Sequence, residues 1–383
     1  GGAIARRIDP EALAHLAVGR PVALVSGTNG KTTTTALLAA LARRQGPVVT
    51  NRAGANLHNG LVATLLGAPA DRRAVLEVDE AALPSVITST RPQVVALLNL
   101  SRDQLDRLHE VRHTADRWRV ALESSPSVAV VANADDPLVV WAAETSEVTW
   151  VACGQHWHLD ATTCPHCSSA LERAGAWRCT GCDWRRPDVD YALDTDGSQP
   201  MLRRIRDDHT WPLDLPLPGR FNLANAALAL AAADTMGLAG DDPSAAWQEV
   251  QAVSDRYRVV DRDGTAYRLL LAKNPAGWAE MLTLLEGSDR PAILALNARG
   301  QDGVDPSWIW DVPFELLAGR RVICTGERAS DLAVRLTYAG VDHQWAGDLD
   351  AAIALAAGWG DVDLVANYTA FQQARRIFGV THA

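Results

Sequence analysis

A glycine- and threonine-rich segment near the start of the chain holds the residues best suited to bind phosphate. Its members are, in order, Gly27, Thr28, Asn29, Gly30, Lys31, Thr32 and Thr33. It lies between the apolar run Pro21–Val25 and an Ala- and Leu-rich stretch typical of a helix. In such a loop the backbone N–H groups turn toward phosphate oxygens, the lysine meets the β- and γ-phosphates, and the next hydroxyl reaches Mg²⁺. The sequence predicts a nucleotide-phosphate site; the alternative is a Gly/Thr-rich turn with an exposed lysine.

Acidic residues follow another apolar run and suit the metal that accompanies a nucleotide. The segment 77–80 reads EVDE and ends the predicted buried strand 74–78. Its carboxylates would emerge at the carboxyl edge of a parallel sheet, where such sheets bind ligands. Because Mg²⁺ prefers oxygen ligands, we predict that Thr32, Glu77 and Glu80 bind it. The alternative is a solvated acidic turn.

Two further polar turns follow predicted strands and could line the same crevice. They span residues 99–107, NLSRDQLDR, and 133–137, NADDP. The second turn offers an amide and two carboxylates to a nucleotide base. The same groups also suit a helix cap, so both interpretations remain open.

Four cysteines have the spacing of a metal site. Cys164 and Cys167 form one Cys-x2-Cys pair, and Cys179 and Cys182 form another after eleven residues. This spacing is typical of two knuckles that share one tetrahedral zinc ion, with a closed shell and a structural role. Two disulfides are the alternative, which a reducing compartment disfavours. The nearby His156, His158 and His166 are expected to be bystanders to the metal.

Composition narrows the class of protein. The chain has 383 residues, a formal charge of -10 and a pI near 5.5. Binding to nucleic acid depends on clustered Lys and Arg, so this charge argues against a general nucleic-acid binder. No apolar run approaches the roughly 20 residues that span a bilayer. We therefore expect a cytoplasmic protein without a transmembrane segment.

The pattern of elements predicts an α/β fold in two domains. Short apolar runs alternate with helical patterns between residues 22 and 152, which indicates a parallel sheet covered on both faces. Residues 153–187 are rich in Cys, His, Trp and Gly and form a predicted insertion, too short to bury much core, so that bound metal would supply folding free energy. Antiparallel strands are expected over 191–217, followed by an Ala-rich helix over 222–236.

A second, smaller α/β series follows. It opens with a predicted hairpin that turns at Asp263-Gly264. We predict a central domain over residues 1–254, with the insertion at 153–187, and a C-terminal domain over 255–383.

Four of these motifs, in this order, resemble the Mur ligase family, which includes folylpolyglutamate synthase. They are GTNGKTTT at 27–34, the acidic strand end, the NADDP turn and GRFNLAN at 219–225. The resemblance implies that the loop holds ATP, that Glu77 binds Mg²⁺, and that Asn225 contacts adenine. It also implies that a carboxylate is activated as an acyl phosphate, which an amine then attacks.

The chain differs from ordinary Mur ligases in two features, and in both it resembles the MurT branch of the family. Only about twenty residues precede the first predicted strand, where ligases of nucleotide sugars carry a further domain, and the four-cysteine insertion is foreign to ordinary ligases. Further along, KNPAG at 273–277 and DGVDPSWIWD at 302–311 resemble the MurT C-terminal domain. This second resemblance implies a Rossmann-like domain that docks a glutaminase.

The MurT resemblance implies a complete reaction. A GatD-like glutaminase subunit would supply ammonia, and the heterodimer would amidate D-glutamate in lipid II at the inner face of the membrane. An aspartate of this chain would complete the partner's Cys-His triad; we favour Asp305, then Asp311, then Asp302. No Cys-His pair in this chain looks like a glutaminase of its own, so the sequence also implies a partner.

Other residues receive roles on the same resemblance. Arg256, where relatives often have Gly-Arg and this chain has Asp-Arg, is a predicted phosphate contact, and Lys273 is assigned to cofactor binding. Gln104 stands where many Mur ligases have a histidine near the metal; it acts through water or merely packs. Trp308 and Trp310 occupy alternate positions, so they either pack in the core from one side of a strand or form a partner patch.

Two other functions remain open from the sequence. One is an amino-acid-adding ligase of the folylpolyglutamate synthase type. The other is a non-catalytic scaffold that binds a nucleotide through its loop and a partner through its zinc ribbon. The intact Lys31, Thr32 and Glu77 argue against the scaffold.

Overall fold

A computed structural model describes residues 1–51, 54–103, 111–155, 157–248, 250 and 257–380. Within it the chain divides into two compact units, Gly1–Ser101 with His109–Gln251, and Arg102–Leu108 with Ala252–Ala383. The predicted boundary at 254–255 lies outside the described residues. Of the helices that the structure describes, none has the length and apolar character needed to cross a bilayer.

The first unit is built on a mainly parallel sheet. Its strands, with those of the insertion, are β1 (Val22–Ser26), β2 (Val48–Val49), β3 (Arg73–Glu77), β4 (Val94–Leu97), β5 (Ala129–Asn133), β6 (Val148–Ala152), β7 (Leu171–Glu172), β8 (Arg178–Cys179), β9 (Tyr191–Asp194), β10 (Met201–Arg204) and β11 (His209–Pro212). Among the described residues, nine of these strands form one sheet in the order β11-β10-β9-β6-β5-β4-β1-β3-β2. The predicted parallel sheet is confirmed.

Helices cover this sheet and account for its apolar strands. They are α1 (Gly2–Ile8), α2 (Ala12–Ala17), α3 (Lys31–Arg43), α4 (His58–Leu66), α5 (Leu83–Thr90), α6 (Val111–Glu123), α7 (Pro137–Ala143), α8 (Arg220–Thr235) and α9 (Ser244–Trp247). Every residue of β1 and β4 is buried, as expected for parallel strands covered on both faces. The Ala-rich α8 packs closely on α3 because its small side chains allow the two backbones to approach.

Antiparallel strands extend the sheet, as the sequence predicts. β9, β10 and β11 pair antiparallel, and β9 joins the parallel part through β6. The insertion precedes them and contributes the small hairpin β7–β8. Trp157 and Trp177 of the insertion are buried.

The second unit is a smaller α/β unit. Its elements are β12 (Tyr257–Arg262), β13 (Thr265–Leu271), α10 (Pro275–Glu286), β14 (Ala292–Ala295), β15 (Val322–Thr325), α11 (Ala329–Tyr338), β16 (His343–Trp345), α12 (Leu349–Leu355), β17 (Val362–Ala366) and α13 (Tyr368–Ile377). The order of its described strands is β12-β13-β17-β14-β15-β16, parallel except for the β12–β13 hairpin. This hairpin turns at Asp263 and Gly264, both with positive φ, as predicted.

The SWIWD segment differs from one alternative drawn from the sequence. Ser307–Asp311 is a short 3₁₀ helix and not a strand. Trp308 is buried, whereas Trp310 is 52% exposed and stacks edge-on with Tyr338. Successive turns of a 3₁₀ helix repeat every three residues, so positions two apart face different directions. The expectation that both indoles pack from one side of a strand is wrong.

Candidate active site

The phosphate loop joins the end of β1 to the start of α3 at Lys31. Gly27 has φ of 148° and Gly30 has φ of 87°, both in the region that favours glycine. A Cβ on Gly30 would lie 2.1 Å from Asn225 Oδ1, and one on Gly27 would lie 2.8 Å from Leu98 Cβ. The glycines are therefore required both by backbone shape and by close neighbours.

The residues after β4 hold this loop in place. Thr28 N and Asn29 N donate to the backbone and side-chain oxygens of Asn99, each at 2.9 Å. Asn99 Nδ2 returns a hydrogen bond to Asn29 O at 3.0 Å. Thr28 Oγ1 donates to Ser101 O at 3.1 Å and accepts from Ser101 N at 3.0 Å. The loop's shape thus depends on the neighbouring strand end.

Lys31 lies under the loop, where it could neutralise phosphate charge. Its Nζ donates to Gly27 O at 2.6 Å and to Thr28 O at 3.2 Å, and it forms an ion pair with Glu80 Oε2 at 2.9 Å. The side chain is only 7% exposed. The acidic segment after β3 and the loop lysine are therefore brought together.

Glu77 and Thr32 form the second link between the loop and the acidic strand end. Thr32 Oγ1 donates to Glu77 Oε2 at 2.8 Å, and Asn56 Nδ2 donates to Glu77 Oε1 at 3.0 Å. Asn51 pairs with the backbone N–H and C=O of Glu77 at 2.9 Å each. The oxygens of Thr32, Glu77 and Glu80 are hard donors of the kind Mg²⁺ takes, so this donor set fits the ion.

Asn51 and Asn56 are site residues that the sequence reasoning missed. They lie between β2 and α4, Asn51 two residues after the end of β2. The signals that could have found them are the position of Asn51 just after a strand and the two asparagines within six residues.

The NADDP turn, Asn133–Pro137, follows β5 and caps α7. Asp136 Oδ1 accepts from Leu138 N at 2.9 Å and Val139 N at 3.2 Å, while its Oδ2 accepts from Leu100 N at 2.8 Å. Burial raises the pKa of Asp136. Asn133 Nδ2 donates to Leu98 O at 2.9 Å. Asp136 therefore acts as the N-cap of α7, as the helix-cap interpretation expects.

The four predicted zinc ligands converge. The sulfur atoms of Cys164, Cys167, Cys179 and Cys182 all lie within 4.8 Å of one another. The Sγ–Sγ distances are 3.7 Å between Cys164 and Cys182 and 3.3 Å between Cys167 and Cys179. Four sulfurs at about 2.3 Å from a tetrahedral zinc are about 3.8 Å apart. A disulfide would need about 2.05 Å, and the six cysteines are free thiols. The cluster therefore fits a metal ion.

The candidate triad aspartates have three different environments in the second unit. Asp302 is buried, accepts from Thr369 N at 3.0 Å and from the Thr369 hydroxyl, and has its pKa raised by burial. Asp305 is exposed, and the hydrogen bond from Ser307 N at 2.8 Å lowers its pKa. Asp311 forms an ion pair with Arg102 at 3.0 Å.

Lys273 lies immediately before α10, whose N-cap is Asn274. Its Nζ forms an ion pair with Asp103 Oδ2 at 2.9 Å, and Asn274 Nδ2 donates to Asp103 Oδ1 at 3.2 Å. Arg256 and Gln104 lie outside the described residues, so their predicted roles stay predictions.

Two family profiles match the chain. The Mur ligase middle domain matches residues 25–233, and the MurT ligase C-terminal domain matches residues 271–371. Among curated proteins, the lipid II isoglutaminyl synthase (glutamine-hydrolyzing) subunit MurT of Streptococcus pneumoniae is 30% identical, over 88% of this chain and 81% of that protein. The MurT subunit of Staphylococcus aureus is 29% identical, over 89% of this chain and 83% of that protein.

Solved structures agree on the fold. A pseudomurein peptide ligase type C from Methanothermus fervidus has a TM-score of 0.72 at 19% identity and covers 94% of this chain and 79% of its own. Mycobacterium tuberculosis folylpolyglutamate synthase, solved with ADP and AMPPCP, has a TM-score of 0.65 at 17% identity, over 97% of this chain and 95% of its own.

The parallel sheet, the phosphate loop and the middle-domain match define an ATP-dependent ligase of the Mur ligase type. Within that class, the similarity along both units settles the branch. The chain belongs to the MurT family.

Replacing Gly30 with alanine tests the loop. The Cβ would displace Asn225 and strain a left-handed backbone, so we expect Gly30→Ala to lose nucleotide binding and about 1–3 kcal/mol of unfolding free energy. Titration calorimetry with MgADP and thermal unfolding measure both. Gly46→Ala is the control, since Gly46 also has positive φ but a Cβ there meets nothing within 4 Å. Wild-type affinity in Gly30→Ala would contradict this account of the loop.

Replacing Cys179 with serine tests the metal cluster. We expect the wild-type chain to hold about one zinc and Cys179→Ser to hold little, with a lower unfolding temperature, because the ion contributes folding free energy. Elemental analysis and thermal unfolding with and without a chelator measure these quantities. Cys153→Ala removes a buried thiol outside the cluster and should keep the zinc. Metal-free wild-type protein of unchanged stability would overturn the assignment.

Proposed function

We propose that this chain catalyses the ATP-dependent amidation of the α-carboxylate of D-glutamate in the lipid II stem peptide, which yields D-isoglutamine. The observation that carries the proposal is the similarity of both units to two MurT subunits, each named as part of a glutamine-hydrolysing lipid II isoglutaminyl synthase. The ammonia would come from a GatD-like glutaminase subunit in a heterodimer. The complex would work at the inner face of the membrane, where the lipid-linked substrate is accessible.

The chemistry requires an activated carboxylate, because hydroxide is a poor leaving group and a carboxylate repels nucleophiles. A carboxylate oxygen attacks the γ-phosphorus of ATP, and ADP leaves. Ammonia then attacks the carbonyl carbon of the acyl phosphate, inorganic phosphate leaves, and the nitrogen loses a proton. Water competes with ammonia for the same intermediate, so the site must exclude it.

The residues of the loop supply the electrostatics of the first step. Lys31 and the loop N–H groups stabilise charge on the transferring phosphoryl group, which is the main catalytic effect in phosphoryl transfer. We assign Thr32, Glu77 and Glu80 as the Mg²⁺ ligands; when bound, the ion neutralises charge on the phosphates. The partly buried contacts of Lys31 with Glu80 and of Thr32 with Glu77 bring these oxygens beside the loop and support this assignment.

Asn225 and two basic residues complete the proposed nucleotide contacts. Asn225 would contact adenine, and its approach to Gly30 supports a place beside the nucleotide. Arg256 would contact phosphate and Lys273 would contact the cofactor, on the family resemblance.

Exposure and charge order the aspartates that could complete the partner's triad. Such an aspartate must reach a histidine of another chain and be ionised, since it orients and stabilises the imidazolium. Asp305 satisfies both conditions, because it is exposed and its pKa is lowered. Asp311 forms an ion pair with Arg102, and Asp302 is buried and hydrogen-bonded to Thr369. We therefore keep Asp305 first, then Asp311, then Asp302.

Removing the loop lysine tests the amidation. We expect Lys31→Ala to reduce ammonium-supported amidation of lipid II by at least about a hundredfold, because a positive charge at the phosphoryl group is lost. Product is measured by mass spectrometry, and folding by circular dichroism. Arg43→Ala, at the other end of α3 and exposed, is the matched control. Unchanged amidation in Lys31→Ala, or glutamate-dependent turnover on folate by the wild type, would sink the proposal.

Replacing the triad aspartate separates ammonia production from its use. We expect Asp305→Asn to lose glutamine-supported amidation in the heterodimer and to retain activity with added ammonium, because only the partner's histidine loses its acceptor. The exposed Asp342→Asn is the control. If the Asp302, Asp305 and Asp311 variants all keep glutamine use, the triad aspartate lies elsewhere.

A further inference from the structure

The insertion contacts the NADDP turn through buried and partly buried polar groups. Trp177 Nε1 donates to Ala134 O at 2.9 Å, and the indole is 2% exposed. Arg186 Nη1 forms an ion pair with Asp135 Oδ1 at 2.9 Å. The other oxygen of Asp135 accepts from the N–H groups of Cys153 at 2.8 Å and Gly154 at 2.7 Å. The carboxylate of Asp135 therefore binds residues near both ends of the insertion.

A second contact fixes the knuckle of the metal cluster to the end of α7. Glu144 Oε2 accepts from Trp184 Nε1 at 2.8 Å. Its Oε1 lies 3.0 Å from His166 Nε2 and 2.8 Å from Arg119 Nη1. His166 lies between Cys164 and Cys167, so one carboxylate binds both halves of the insertion. His166 lies outside the four-cysteine group and instead helps to fix the insertion to α7.

Hydrogen bonds continue from the NADDP turn to the phosphate loop. Asn133 Nδ2 donates to Leu98 O, and Asp136 accepts from Leu100 N. The adjoining Asn99 and Ser101 hold Asn29 and Thr28 of the loop, as described above. Residues 98–101, after the end of β4, therefore contact both the NADDP turn and the phosphate loop.

This series of contacts is able to transmit a change of position. Thr28, Ser101, Asn133, Asp136 and Trp177 are buried, whereas Asn29, Asn99 and Arg186 are partly exposed. A buried hydrogen-bonding group that loses its partner costs about 1–3 kcal/mol. Removing a contact from the insertion would therefore weaken the hold on the turn. Continuous hydrogen-bond and ion-pair networks are the kind of structure through which two sites can be coupled.

We propose that the insertion is a positioning element for the nucleotide site. Trp177 and Arg186 fix the NADDP turn, the turn fixes residues 98–101, and these hold the phosphate loop in its binding shape. Trp177 and Arg186 are positioning residues, since they act through other groups and touch no substrate. The inference rests on the proposed function in one respect, that the loop binds ATP.

Removing the Arg186 contact tests the coupling in the full zinc-loaded chain. We expect Arg186→Gln to weaken MgADP binding by roughly three- to tenfold and to raise the KM for ATP more than it lowers kcat, with zinc content unchanged. Arg186→Lys restores the charge and should recover part of the affinity. Arg178→Gln is the matched control, because Arg178 lies in the insertion but pairs with Glu172 within it.

A second variant guards against misfolding. Trp177→Phe keeps an aromatic ring but removes the N–H that donates to Ala134 O, and should weaken MgADP binding in the same direction. A lower unfolding temperature with wild-type MgADP affinity in both variants would mean a merely structural role and would overturn the inference alone. Wild-type chain that binds no MgADP at all would overturn both the inference and the proposed function.

Discussion

The arrangement of the phosphate loop and its neighbouring strand ends depends on the hydrogen bonds of one buried carboxylate, that of Asp136. One oxygen caps α7 through the N–H groups of Leu138 and Val139, and the other holds Leu100 N and Gln155 Nε2. Burial raises the pKa of this group, and the N–H donors offset that cost. Asp136 thus fixes both the start of α7 and the residues that follow β4. Because residues 98–101 hold the phosphate loop, the position of the loop also depends on Asp136.

The second unit uses a similar solution, a buried carboxylate fully paired by side chains. Asp363 of β17 is completely buried and receives both arms of Arg268 from β13, at 2.7 and 2.8 Å. A bidentate guanidinium satisfies the carboxylate in a fixed geometry. Arg320 Nη1 lies 3.8 Å from the same carboxylate, so removing Asp363 would leave two largely buried guanidinium groups without their shared acceptor. In both units, therefore, a carboxylate with its hydrogen bonds satisfied fixes how neighbouring backbone segments align.

Much of the fold and part of the site could be predicted from residues close together in the chain. The phosphate loop, the alternation of strands and helices, the hairpin at Asp263 and the cysteine pairs all appear in local spacing. What escaped prediction depends on partners distant in sequence. Asn51 and Asn56 matter because they meet Glu77, and Glu144 matters because it meets His166 and Trp184. Each of these contacts joins residues at least 21 positions apart, so local spacing does not reveal which side chains meet.

The sequence by itself determined that a glycine loop at Gly27–Thr33 follows a strand, and that four cysteines have metal-binding spacing. Backbone conformation and ligand spacing are local properties, so a short motif encodes them. Only the tertiary structure decided that Asp305 is exposed while Asp302 is buried, and that Trp308 and Trp310 face different environments. It alone also brought the insertion against the NADDP turn. Exposure and long-range contacts depend on packing, and packing is determined jointly by side chains that are far apart in the chain.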